Sequence, residues 1–220
     1  MKRNWKHIVK WTFLALFLSA AVLLPSLVRA ADEPYIPEKM TLYTTNPAMS
    51  RNWMLTGVKS TKHVTKLKSS KKSVAEVSTF AYNDTVYVGV TAKKAGKTTV
   101  SFTAKVNGKK KNYKCVVTVK KYTLPFSTLK IGKINAAEQL KTTYSTGITL
   151  KKALKNQKFT YKLKKGWTIR WMSYYNSADG SGGIDLKNNK KITVKDGKQI
   201  QIALEYKDGS TMDVLIFFRK

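Results

Sequence analysis

Few side chains in this sequence could carry covalent chemistry, and they stand far apart. Cys115 is the only cysteine, and His7 and His63 are the only histidines. His63 sits among Ser60, Thr61, Lys62 and Thr65, a loop-like setting with no nucleophile signature beside it. A zinc site needs several His or Cys ligands, and His63 with Cys115 is too few. Carboxylates are equally sparse. Glu76 and Asp84 are the only acids between Met40 and Lys120, and the seven beyond lie mostly beside turns. Paired carboxylates for glycoside cleavage are not marked by any spacing, so a hydrolase in the C-terminal half ranks last among three functional readings. Ala95-Gly-Lys-Thr98 imitates the end of a phosphate loop, but position 91 is Thr, and the segment leads into a strand. Asp179-Gly-Ser-Gly-Gly-Ile-Asp185 spaces oxygens as a calcium loop would, yet lacks the third acid and the closing Glu. It reads as a hairpin loop. The sequence therefore assigns no catalytic, cofactor-binding or metal-ligating residue.

What it does offer is charge. There are 42 Lys and Arg against 12 Asp and Glu, a formal net charge of +30. Only Arg3, Arg29, Arg51, Arg170 and Arg219 are arginines; the other cations are lysines. Lysine is a point charge and not a bidentate fork, which suits salt-sensitive attachment to a polyanion better than base-specific reading of nucleic acid. The basic runs, among them Lys109-Lys110-Lys111 and Lys164-Lys165, fall at turns. A second candidate surface is the aromatic cluster Trp167, Trp171, Tyr174 and Tyr175. Simple alternation puts Trp167, Ile169 and Trp171 on a core side, with Arg170 and Tyr174 on the open side. The candidate polymer-binding residues are thus Lys109, Lys110, Lys111, Lys164, Lys165, Arg170 and Tyr174.

The elements that must position these residues are strands. Val100, Phe102, Ala104 and Val106 share one side of a strand; Tyr113, Cys115, Val117 and Val119 share one side of the next. Asn107-Gly108 between them suits a type I′ turn. Seven strands are expected near Thr41–Thr45, Met54–Val58, Thr65–Lys68, Ala75–Thr79, Thr85–Ala92, Thr98–Val106 and Asn112–Lys120, the pattern of an immunoglobulin-like sandwich. Three segments resemble the bacterial immunoglobulin-like domain, group 2, of invasin- and intimin-type adhesins. They are Ser-Ser-x-x-Ser-Val-Ala-x-Val at Ser69–Val77, Lys-Ala-Gly-Lys-Thr-Thr at Lys94–Thr99, and Val-Thr-Val at Val117–Val119. The resemblance implies a non-catalytic spacer or adhesive module.

Lys121–Lys130 reads as a linker stiffened at Leu124-Pro125. Beyond it, alternating runs at Phe159–Leu163, Trp167–Trp171, Ile192–Val194, Ile200–Tyr206 and Met212–Phe218 read as an antiparallel meander. The breaks are Asn188-Asn189, Asp196-Gly197 and Asp208-Gly209. Asn135–Leu140 is expected as one helical turn capped by Asn135. The fold class is therefore all-β, two tandem β-sandwich domains at 40–120 and 131–220.

At the start, Lys2, Arg3, Lys6 and Lys10 precede an apolar run from Trp11 to Val28, then Val28-Arg29-Ala30. This reads as a signal peptide over 1–30, cleaved after Ala30, so that the membrane is met only in transit. A retained anchor is the alternative. Removing five cations leaves a mature charge of +25, divided almost equally between the halves. The leading function is a secreted or cell-surface, non-catalytic binding module for anionic cell-wall polymers or glycans. The alternative is a structural spacer whose partner is another protein. Cys115, alone in an exported chain, is expected to pack as a small hydrophobe.

Overall fold

Alternation of β-branched and polar residues builds the strands, and the inward rows of both halves join in one continuous hydrophobic core. The computed structural model describes residues 33–220; the expected leader and its cleavage site lie outside the described residues. Pro34–Lys220 packs as one unit, all-β apart from a 3-10 turn at Thr61–His63 and one helical turn, α1 (Ala136–Gln139).

The N-terminal half holds β1 (Lys39–Thr44), β2 (Ser50–Met54), β3 (Val64–Ser69), β4 (Ala75–Tyr82), β5 (Thr85–Ala92), β6 (Gly96–Val106) and β7 (Lys109–Lys121). They form two sheets in the orders β1-β7-β6-β3 and β2-β5-β4. This is the immunoglobulin-type arrangement, with the first strand carried over to run parallel beside the last. Val88, Val90, Val100, Ala104, Cys115 and Val117 are fully buried between the sheets. Asn107 and Gly108 both have positive φ, 48° and 83°, and close the β6–β7 hairpin as a type I′ turn. Strand β2 starts earlier than the expected Met54–Val58. Leu55 and Val58 are buried, but through a turn at Thr56-Gly57 with Gly57 at φ 76°.

The C-terminal half holds β8 (Phe126–Ile131), β9 (Ile134–Asn135), β10 (Ser145–Thr149), β11 (Leu154–Leu163), β12 (Trp167–Asn176), β13 (Ile184–Asp185), β14 (Lys191–Val194), β15 (Lys198–Tyr206) and β16 (Thr211–Arg219). Their orders are β10-β16-β15-β12-β13 and β14-β11-β8-β9. This too is a sandwich, on the same plan as the first. The meander expectation fails: the consecutive strands β11 and β12 lie in different sheets, β14 pairs with β11 and not with β15, and at one edge β10 pairs parallel with β16. The helical turn α1 makes this possible by carrying the chain from one sheet to the other. Asn135 stands at its N-cap without a side-chain cap bond. Most of the expected Lys121–Lys130 linker is structured: β7 ends at Lys121 and β8 begins at Phe126, a buried side chain.

No helix among the described residues is long and apolar enough to cross a membrane.

Candidate binding cleft between the two sandwiches

The two halves meet where β7 ends. Tyr43 of β1 donates its hydroxyl to Ser210 Oγ at 3.1 Å, and burial raises its phenol pKa. Lys120 reaches the same Ser210 Oγ at 3.1 Å and forms an ion pair with Asp208. Arg51 of β2 pairs with Asp213 of β16, and Asn46 N donates to Thr142 O at 2.9 Å. In both ion pairs the first half supplies the cation and the second the acid.

The ties of Tyr43 and Lys120 to Ser210 and Asp208 line a cleft of about 310 Å³. Its apolar wall is aromatic: Tyr43 lies 6.4 Å from Trp167, and Trp167 lies 5.1 Å from Tyr206, measured between ring centroids. Four lysines line it. Lys120 and Lys121 come from the end of β7; Lys164 and Lys165 come from the β11–β12 turn. That turn is clamped on both sides. Lys164 N donates to Pro125 O at 2.8 Å, and Lys207 N donates to Gly166 O at 2.8 Å. Gly166 has φ 90°, and a Cβ there would lie 2.7 Å from the Tyr206 ring, so glycine is required on both counts.

Asp208 is the cleft's one carboxylate. The hydrogen bond from Lys120, then those from Ser210, hold its pKa down to about 2. Lys121, Lys164 and Lys165 have no acidic partner among the described residues. The cleft therefore presents a rim with three net positive charges over buried Tyr43 and Trp167 and the part-exposed Tyr206 ring, an arrangement suited to an anionic group whose apolar part can rest against Tyr206.

The sequence-derived candidates are not all brought together. Lys164 and Lys165 are in the cleft. Lys109, Lys110 and Lys111 begin β7 at its far end, about 30–40 Å from Lys120 and Lys121 at the usual rise per strand residue. Arg170 is exposed and lies 3.9 Å from Glu205. Tyr174 corrects the alternation argument. It is 5 % exposed and donates its hydroxyl to Thr193 O at 2.6 Å, while Trp171, expected inside, is 45 % exposed. The cause is a register shift between Ile169 and Trp171 in the β12–β15 ladder, which turns every later side chain to the opposite face. Tyr174 thus belongs to the core, edge-on to Phe218. Lys120, Lys121, Tyr43 and Tyr206 went unnoticed in the sequence. The only local signal was Lys120-Lys121 beside Leu124-Pro125.

No family model matches the chain, and no curated protein matches it. Solved structures do, weakly. Fibronectin(III)-like modules of Clostridium thermocellum CbhA share 17 % identity over 86 % of this chain and 92 % of theirs, at a TM-score of 0.28. Domains 5-6 of the S-layer protein SbsC share 15 % over 86 % and 100 %, at 0.30. The Yersinia pseudotuberculosis adhesin InvE shares 12 % over 86 % and 61 %, at 0.24. The immunoglobulin-like architecture stated above follows from the chain's own strand order.

The remaining candidates for chemistry are placed as follows. His63 ends the 3-10 turn that Ser60 caps. Cys115 is fully buried, and burial pushes its thiol up to about 11. The Asp179–Asp185 segment is a hairpin loop: Ser181 donates its backbone N–H to Asp179 Oδ1 at 2.9 Å, holding that carboxyl below its usual pKa. Among the described residues, no group of three or more His, Cys, Asp or Glu could hold a metal ion.

Proposed function

We propose that this chain is a secreted or cell-surface, non-catalytic module that attaches to an anionic envelope polymer or acidic glycan, with the junction cleft as its principal contact. One observation carries the reading: Lys120, Lys121, Lys164 and Lys165, drawn from both sandwiches, converge above Trp167 and Tyr206. The chain's large positive charge supports it by drawing any polyanion toward the surface before the cleft engages. Specific nucleic acid recognition is not part of the proposal, because the rim is lysine throughout. The group 2 resemblance of Ser69–Val77, Lys94–Thr99 and Val117–Val119 fits a surface module of this kind.

The test is cosedimentation of the purified protein with anionic cell walls across a salt series. Binding at low ionic strength that falls steeply with salt, and that is lost on walls stripped of their anionic polymers, supports the proposal. Equal retention on stripped walls contradicts it.

A second reading, a structural spacer, draws on the same junction. The Tyr43–Ser210, Lys120–Asp208 and Arg51–Asp213 ties are what a spacer needs to hold its two units in fixed relation. On that reading, substituting Lys164 and Lys165 leaves wall binding unchanged.

A further inference from the structure

The sheet β2-β5-β4 differs from the rest of this basic surface. Its outward-facing positions carry neither Lys nor Arg, and Glu76 is their one charge. Phe80 and Tyr82 are 38 % and 66 % exposed there, Met54 stands nearby, and Phe80 stacks on Tyr87 at 5.3 Å between centroids. Phe80, Tyr87 and Met54 lie in one cross-strand row.

Its edge strand also carries no guard of its own, with only the Thr61–His63 turn and β3 of the facing sheet running beside it. An edge strand is a template for another strand unless it is short, bulged, charged or covered. Strands β9 and β13 have two residues each, and β14 has four and starts at Lys191. Strand β3 carries Lys66 and Lys68 and is broken between Thr65 and Lys68. Strand β1 begins with Lys39 and β2 contains Arg51. Strand β10 has five residues, with the Arg219 guanidinium laid against Gly147. Strand β4 alone has eight residues, Ala-Glu-Val-Ser-Thr-Phe-Ala-Tyr, with no Lys, Arg, Gly or Pro and an unbroken register against β5. It is the last strand of its sheet.

We propose that the free edge of β4 pairs antiparallel with β4 of a second copy of this chain, joining two three-stranded sheets into one. Two features favour a second copy. The first is charge: two strongly basic molecules repel least across this face, where the cation that reaches it, Lys93 just beyond β5, is paired with Glu76. The second is self-complementarity under a two-fold axis. Continuity of the two faces requires outward residues to oppose outward ones. Among such registers, the one centred on Thr79 opposite Thr79 pairs Glu76 through Tyr82 in full. It sets Tyr82 opposite Glu76 of the second copy and Phe80 opposite Ser78. A single strand pair covers less surface than stable dimers need, so the association is weak in solution. Copies bound along one polymer would be held at a higher effective concentration. Screening removes the repulsion between copies, so salt strengthens this contact, opposite in sign to its effect on polymer attachment.

The test is sedimentation equilibrium of the purified chain, without polymer, over a range of protein and salt concentrations. The expected result is a reversible monomer–dimer equilibrium that tightens as salt rises. Tyr82→Lys and Ser78→Lys should each weaken it about tenfold or more with an unchanged melting temperature, since both side chains are exposed. Hydrogen exchange should show β4 amides slowing as dimer forms. A chain that stays monomeric throughout overturns the proposal, and so does a dimer indifferent to both substitutions. A monomer that instead binds a neutral-glycan array through Tyr82 overturns it in favour of a sugar platform.

Discussion

The hairpin tip at Lys109–Lys111 and the cleft at Lys120–Lys165 sit at opposite ends of the same strand. Both are rich in lysine, yet they differ in what lies beneath the charge. At the tip, Lys109 and Lys110 are exposed on the outer side of a hairpin end whose inward residue Val106 is buried, and no aromatic wall lies under them. In the cleft, four lysines from two sandwiches stand over packed aromatics, and one carboxylate is tied in place by Lys120 and Ser210. A solvated charge contributes little alone, because water and salt screen it. Charges held around an apolar floor act together on one ligand group. The difference teaches that lysines equal in number can differ in setting, and the proposed attachment rests on the set that converges.

The largest break in this comparison should come from Cys115, midway along the strand that carries both ends. Cys115→Asp buries an unpaired charge among Val100, Val117 and their neighbours and should prevent stable folding, abolishing tip and cleft together. Cys115→Ala should cost only about 1 kcal/mol and leave binding intact. Denaturant melts check both. A native Cys115 that reacts quickly with a thiol probe would contradict its buried placement.

Gly166→Val should separate the two ends. The new side chain adopts a strained φ and drives into the Tyr206 ring, at a cost of about 1–3 kcal/mol. Melting temperature should fall, and the cleft should lose polymer binding out of proportion to the tip. Chemical shifts at Lys109–Lys111 should stay put.

A smaller effect should come from pH. The Asp208 pKa is depressed, so its pairing with Lys120 helps hold the junction above the ordinary carboxylate range. That contribution is lost as pH falls through about 2. Both partners are partly exposed, so the change should be well under 1 kcal/mol. Asp208→Asn should remove this pH dependence while leaving the hairpin tip unaltered, as NMR titration would show.

Much of the scaffold was legible because alternation is a local signal. Strand Thr85–Ala92 and the Asn107-Gly108 turn could be placed from sequence, and the inward row Val100–Val106 is buried as its spacing implied. Tyr174 was misplaced because a bulge inserts one residue without any mark in the sequence. Phe126–Lys130 reads as linker in the sequence because Leu124-Pro125 masks the strand behind it, which the structure extends to Ile131. The cleft itself was illegible beyond Lys164-Lys165. Its ties join Tyr43 to Ser210, Arg51 to Asp213 and Lys120 to Asp208, residues brought together only when the two finished sandwiches pack.

The most direct measurement of the central claim compares wall-polymer binding of two variants over the same salt series. One is the cleft double variant Lys164→Ala/Lys165→Ala; the other is the tip triple variant Lys109→Ala/Lys110→Ala/Lys111→Ala. All five side chains lie at or near the surface, so both variants should melt with the parent. The double variant removes fewer charges, yet it should lose more affinity at every salt concentration and lower the salt slope by about two. A triple variant that loses as much affinity as the double, or more, would contradict the cleft and return attachment to the diffuse charge of the whole surface.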